Sequence, residues 1–173
     1  MNNSVLDNII KRRSVRSFTN EALTREELEA VVKAGVYAPT AKHIETRRLT
    51  VVTDKRIMRA LEREIGRLIG KEGYGFYDPA AFILVSEDSA NTNGLANCAC
   101  AMQNMMLAAS SLGLGSVWIN QFKGLCGDEG LRALLDRLEI PGEQEVWACL
   151  SLGRPAKEPA QEEKDETVVR WFE

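Results

Sequence analysis

The chain has 173 residues, a length typical of a single domain with a substantial core, and 45% of its residues are hydrophobic. Its formal net charge of −3 argues against general affinity for nucleic acid. The N-terminus lacks the pattern of a signal peptide. No apolar run combines the length of a membrane span, about 18 residues, with its lack of polar side chains. We therefore expect a soluble, cytoplasmic protein.

The cysteines and the single histidine do not form a recognisable metal-binding pattern. Cys98, Cys100, Cys126 and Cys149 lack the paired spacing of a zinc site, so we expect free thiols that are mostly buried. With His43 as the only histidine, a histidine-based metal cluster is not expected. Any redox chemistry would then come from a bound cofactor.

The first predicted helix has four apolar residues spaced for one buried face. They are Val5, Leu6, Ile9 and Ile10. The basic stretch "KRRSVRSF" follows at residues 11–18 and has two explanations. Its cations could form a solvated cap that favours the helix C-terminus. In an extended segment, however, Arg12, Ser14 and Arg16 would share one side, and that arrangement suits a phosphate.

Helices and strands are predicted to alternate through the rest of the chain, which favours an α/β or α+β sandwich. Thr24 and Glu27 form a capping-box pattern, and the helix that they begin must end before Pro39. The later elements are a strand at 49–52, a helix capped by Thr53 or Asp54, a strand at 80–85, a helix at 95–112, a strand within 113–120, a helix capped by Asp128 and a strand at 145–153.

Two segments have distinctive compositions. Residues 95–112 carry no charge, so we expect a buried central helix whose Met102, Met105 and Met106 pack in the core. Residues 154–166 are polar, whereas "TVVRWFE" after them is β-branched and aromatic. This change predicts an arm that carries a last strand to another surface, such as a partner subunit.

Several separated motifs together resemble the FMN-dependent nitroreductase family over nearly the whole chain. They are "RRSVRSF", "AGVYAPTA", "YDPAAFILV", "AMQNMMLAASSLGLGSVWIN" and "LSLGRPAKEP". The resemblance implies one FMN-binding domain over residues 1–173 with a C-terminal arm at about 154–173. It also implies an α+β fold, a three-layer α/β/α sandwich with a mostly antiparallel central sheet, in an intertwined homodimer with FMN at the subunit interface.

The resemblance further implies which residues contact the cofactor, while no catalytic side chain can be named. The cofactor-binding residues are Arg12, Arg13, Ser14 and Arg16 for the phosphate and ribityl chain, Pro39, Thr40, Ala41, Lys42, His43 and Glu45 along the flavin edge, Trp118, Ile119 and Asn120 on the other side of the ring, and Lys164 from the arm. A short buried strand would also explain Trp118 and Ile119.

The chain departs from the family pattern at two places. Family members usually carry Asn, Gln, Pro and Trp in the loop where this chain has His43, Glu45, Thr46 and Arg47. A carboxylate near the flavin would disfavour its anionic reduced form unless Arg47 or Arg48 neutralised it. In the arm segment "PAQEEKDE" the only cation is Lys164, so weakened FMN binding is expected.

The function implied by the resemblance is transfer of electrons from NADH or NADPH, through FMN, to a nitroaromatic, a quinone or a similar small acceptor. An alternative is a flavin- or ligand-binding dimer with little or no turnover, motivated by Glu45 and the acidic arm. A specialised flavin reduction such as dehalogenation ranks last, because this compact chain has little room for an added lid.

Overall fold

In the computed structural model, which describes residues 3–43 and 46–173, helices and strands alternate along the chain. The elements are α1 (Ser4–Lys11), α2 (Arg25–Val36), β1 (Arg48–Val52), α3 (Lys55–Leu68), β2 (Ala81–Asp88), α4 (Gly94–Ser111), β3 (Gly115–Ile119), α5 (Glu129–Arg137) and β4 (Gln144–Gly153). Short 3-10 turns cover Ala41–His43 and Glu166–Val168. Among the described helices, none combines the length and apolarity required to cross a membrane.

The predicted helix caps are present. The Thr24 hydroxyl accepts a hydrogen bond from the Glu27 amide at 3.2 Å, and the Glu27 carboxylate accepts one from the Thr24 amide at 2.8 Å. Asp54 and Asp128 likewise accept bonds from backbone amides in the first turns of α3 and α5. The first residues of these helices were predictable from the sequence because a helix cap depends on residues only two or three positions apart.

The four strands form one sheet in the order β1-β2-β4-β3, and every neighbouring pair is antiparallel. Helices cover both faces, which confirms the predicted α+β sandwich. On one face β2 and β4 pack against α2 and α4, where Met102 and Met105 are fully buried and Met106 is nearly so. The methionines therefore belong to the core, as predicted. On the other face, the strands pack against α3 and α5.

The buried cysteines are not suited to nucleophilic chemistry. Cys98, Cys126 and Cys149 are buried free thiols, and Cys100 is an exposed one. Burial raises the pKa of Cys98 to about 12 and that of Cys126 to about 11. Because the thiolate is the nucleophile, these two side chains are inert near neutral pH.

Two apolar segments are exposed to solvent. Within this single chain, the predicted buried face of α1 is between 45% and 65% exposed. Within this single chain the tail "TVVRWFE" forms only the 3-10 turn and then an irregular segment, so its predicted strand on another surface stays a prediction. Trp171 and Phe172 are 83% and 96% exposed. A strand requires a neighbour for its backbone hydrogen bonds, and the described structure pairs this tail with no sheet edge.

Candidate functional site

The basic segment after α1 is extended and lies beside β3. The helix ends at Lys11, and the Val15 amide donates a hydrogen bond to the Ser116 carbonyl at 2.9 Å. Val15 is 7% exposed, whereas Ser14 and Arg16 are exposed, as the alternation predicts. A Cβ atom on Gly115 would lie 2.8 Å from a Val15 methyl group, so glycine permits this close approach.

The C-terminal arm forms a second wall opposite this segment. The Thr19 amide donates to the Arg154 carbonyl and the Ala156 amide donates to the Ser17 carbonyl, both at 2.9 Å. The two walls enclose a cavity of about 580 Å³, called here the basic pocket. Its lining comprises Arg12, Arg13, Ser14, Val15, Arg16, Ser17, Lys157, Pro159, Ala160, Glu162 and Lys164.

The charge of the basic pocket suits an anion. Five cationic side chains line it against the single carboxylate of Glu162. Lys164 forms an ion pair with that carboxylate at 2.6 Å. The Lys164 hydrogen bond and charge lower the pKa of Glu162, with a smaller contribution from the charge of Arg13. Lys164 is therefore partly committed to a neighbour on the arm.

Arg12 and Arg13 have different environments. The Arg13 guanidinium donates to the carbonyls of Ile10, Arg12 and Glu162 at 2.6, 2.8 and 2.7 Å, so it fastens the arm to the end of α1. Arg12 Nη1 is buried and has no hydrogen-bond partner among the described residues. An unsatisfied buried donor is costly, so this nitrogen is suited to an oxygen acceptor that the chain itself does not supply.

The predicted ring-contacting residues after β3 lie outside the basic pocket but along the same strand edge. The basic segment bridges β3 at Ser116, and Asn120 follows four residues later, roughly 13 Å away at about 3.3 Å per residue. Ile119 is buried, and the half-buried Trp118 donates from its indole to the Asn120 side chain at 3.4 Å. Packing in a short strand thus accounts for the apolar side chains.

The predicted flavin-edge residues Pro39–His43 also lie outside the basic pocket, in the loop after α2. Lys42 has a φ of 58°, an unusual left-handed conformation for a lysine. Glu45 lies outside the described residues. Arg47 donates to the carbonyls of Ala38 and Asn97 at 2.9 and 3.0 Å, so its guanidinium joins the backbone after α2 to that of α4. Arg48 is exposed.

Comparison with known proteins identifies the family. A model of the nitroreductase family matches residues 9–75 and 70–154. The chain belongs to the nitroreductase family. A Bacteroides fragilis nitroreductase with bound FMN is 33% identical, with coverage of 99% of this chain and 100% of that one and a TM-score of 0.92. The family resemblance and the nitroreductase fold are therefore confirmed.

Two further similar proteins are named as a nitroreductase and as a flavin reductase. A Desulfitobacterium hafniense nitroreductase with bound FMN is 27% identical over the full length of both chains, with a TM-score of 0.87. A Bacillus subtilis FMN reductase (NADPH) is 29% identical in an alignment that covers 89% of this chain and 67% of the relative.

In this nitroreductase-family protein, the arm contributes more residues to the basic pocket than the predicted Lys164 alone. Lys164 is the only cation in the arm segment "PAQEEKDE", which begins at Pro159. Lys157 also lines the basic pocket, and so does Glu162. Lys157 could have been selected from its place in "LSLGRPAKEP", one of the motifs of the family resemblance.

Proposed function

We propose that this chain is an FMN-dependent oxidoreductase that takes electrons from NADH or NADPH and passes them to a small acceptor such as a nitroaromatic or a quinone. The observation that carries the proposal is the basic pocket with the unpartnered Arg12 Nη1. The names of the relatives, which include a nitroreductase with bound FMN and an FMN reductase, support the same activity.

The basic pocket would hold the FMN phosphate. A phosphate monoester carries up to two negative charges and has three terminal oxygens, so it matches several convergent donors. Arg12 and Arg16 would donate through their guanidinium groups, Ser14 through its hydroxyl, and Lys157 and Lys164 as point charges. Arg13 would act mainly by holding the arm in place, because its Nη1 and Nη2 atoms already bind three carbonyls, and only its buried Nε has no partner among the described residues.

The ring end of the cofactor would extend away from the basic pocket towards two loops. Trp118, Ile119 and Asn120 continue the strand edge that the basic segment contacts at Ser116. Pro39, Thr40, Ala41, Lys42, His43 and Glu45 would border the flavin from the loop after α2. Bound FMN supplies the hydride and electron transfer, and the protein binds and orients it. No side chain is assigned as an acid or a base.

A homodimer with FMN at the subunit interface would account for the apolar surfaces that the single chain leaves open. These surfaces are the exposed face of α1 and the tail with Trp171 and Phe172. A cavity of about 1390 Å³ lies beside β1, which is an edge strand, and Leu23, Leu28, Val32 and Leu49 contribute to its lining. A second copy's tail could bury its aromatic residues there.

Deletion of residues 168–173 tests this dimer while leaving every residue that lines the basic pocket in place. We expect sedimentation to give a dimer for the full chain and a smaller particle for the truncated chain. A monomeric full chain, or an unchanged dimer after truncation, would contradict the proposed role of the tail.

We also propose that residues 1–173 act as one FMN-binding domain with an arm from about residue 154. The free thiols of all four cysteines, including the exposed Cys100, are consistent with the reducing conditions of the cytoplasm. A cytoplasmic location is therefore part of the proposal, and fractionation of cells that express the protein would test it.

The first experiment is to purify the protein without added flavin and record its visible spectrum before and after mixing with excess FMN. A yellow protein that releases FMN supports the proposal, and a colourless protein that ignores excess FMN refutes it. Anaerobic addition of NADH and of NADPH then tests the electron donor. Bound FMN that neither donor reduces would favour the flavin-binding dimer with little turnover.

A further inference from the structure

A buried polar cluster lies beneath the loop after α2, outside the basic pocket. The cluster consists of Glu87 near the end of β2, Asn97 on α4, Gln144 at the start of β4 and Thr46. Glu87 is fully buried. One of its carboxylate oxygens accepts a hydrogen bond from the Thr46 hydroxyl, and the other accepts one from the Asn97 amide group at 3.2 Å. We call these four residues the Glu87 cluster.

The Glu87 cluster binds the chain at both ends of the stretch from Ala41 to Thr46. At one end, the Asn97 Oδ1 atom accepts a hydrogen bond from the Ala41 amide at 2.9 Å. At the other end, the Gln144 side chain donates to the Thr46 carbonyl at 2.7 Å, in addition to the bond between Thr46 and Glu87. Because Glu87 bonds to both Thr46 and Asn97, it connects the two ends through one side chain.

Glu87 is the acceptor in both of its side-chain hydrogen bonds within the cluster. The Thr46 hydroxyl and the Asn97 NH₂ group both donate to Glu87, and each of its two carboxyl oxygens accepts one of these bonds. The Asn97 oxygen is then turned towards the Ala41 amide. A buried carboxylate is costly, and among the described residues no cation forms an ion pair with Glu87. Packing alone would favour an apolar residue here.

We propose that Glu87 is a positioning residue for the loop after α2, called here the cofactor loop: through Asn97 and Thr46 it fixes the backbone at Ala41 and at Thr46, and so sets where the neighbouring Lys42 lies along the flavin edge. This inference rests on the proposed function. Glu87 itself contacts no cofactor in this proposal. It acts on the backbone next to Lys42, which adopts an unusual left-handed conformation.

The substitution E87Q tests the direction of the bonds with little change in side-chain size. The new amide can still accept the Thr46 hydroxyl bond through its oxygen, but its NH₂ group then faces the NH₂ group of Asn97. Glutamine offers one acceptor oxygen where Glu87 offers two, so either Asn97 rotates and the Ala41 amide loses its acceptor, or the glutamine rotates and the Thr46 hydroxyl loses its acceptor. The second substitution N97D removes the conflict, since a carboxylate at position 97 can accept both bonds.

The matched control is S151A. Ser151 is also fully buried in the sheet, and its hydroxyl donates to the Phe76 carbonyl at 2.9 Å, away from the cofactor loop. S151A therefore removes one buried hydrogen bond without touching the Glu87 cluster. Any effect that E87Q and S151A share reflects general stability.

The measurements are amide hydrogen exchange in residues 41–46 of the apoprotein, the FMN dissociation constant and the visible spectrum of saturated holoprotein, all well below the melting temperature. We expect E87Q to accelerate exchange, to weaken FMN binding about tenfold because fewer molecules hold the binding-competent loop, and to change the flavin spectrum. The double variant E87Q/N97D should restore all three properties towards wild type, and S151A should alter none of them.

Two different results would overturn this inference and are easily distinguished. Wild-type protein that binds FMN while E87Q matches S151A in exchange, affinity and spectrum would overturn the positioning role alone. Wild-type protein that binds no FMN would overturn the proposed function and this inference with it.

Discussion

Replacing Arg12 by methionine should weaken FMN binding without destabilising the apoprotein. Methionine keeps most of the length of the arginine stem but removes the guanidinium, whose Nη1 atom is buried and has no partner among the described residues. In the apoprotein, the change deletes an unsatisfied buried donor, so the melting temperature should stay constant or rise. In the holoprotein, it deletes a hydrogen bond between two charged groups.

The expected magnitude follows from the kind of bond that is lost. A hydrogen bond to a charged group contributes about 1.5–3 kcal/mol, which corresponds to an increase of about 10-fold to 150-fold in the dissociation constant. The measurement is a fluorescence titration with FMN and, in parallel, with riboflavin, which lacks the phosphate. Binding of FMN should weaken by this amount, while binding of riboflavin should change little.

Arg13→Met is the matched control for Arg12→Met. Arg13 donates to three backbone carbonyls, one of which belongs to the arm residue Glu162. Its loss should lower the melting temperature of the apoprotein, opposite in sign to the effect at Arg12. The phosphate assignment fails if Arg12→Met leaves FMN affinity unchanged or weakens riboflavin binding equally.

The remaining predictions concern the arm and a helix cap. Lys157→Met removes one cation from the basic pocket, so FMN binding should weaken several-fold and should depend less on salt concentration. Titration with FMN at two ionic strengths measures both effects, and an unchanged salt dependence of FMN binding would contradict the role of Lys157. Glu162→Gln should instead tighten FMN binding, since it frees Lys164 from its ion pair, and weaker binding in the same titration would contradict this prediction. Thr24→Ala should lower the free energy of unfolding by about 1 kcal/mol in urea denaturation, through loss of the capping box, with no change in FMN affinity.

Local patterns in the sequence determined much of the fold. The caps at Thr24, Asp54 and Asp128 and the apolar run of β2 each involve residues that are close in sequence, so they were predictable. The outward direction of Ser14 and Arg16 follows from the same kind of rule, because side chains alternate in an extended segment. The family resemblance and the choice of FMN also came from the sequence.

The tertiary structure decided which distant residues meet. It brought Lys157 and Glu162 to the basic segment, left the predicted apolar face of α1 exposed, and joined Glu87 to Asn97 and Thr46 beneath the cofactor loop. Arg13 and Glu162, for example, are 149 positions apart, and no periodicity links such residues. Local patterns report the face that a side chain occupies, whereas its partner depends on how whole elements pack.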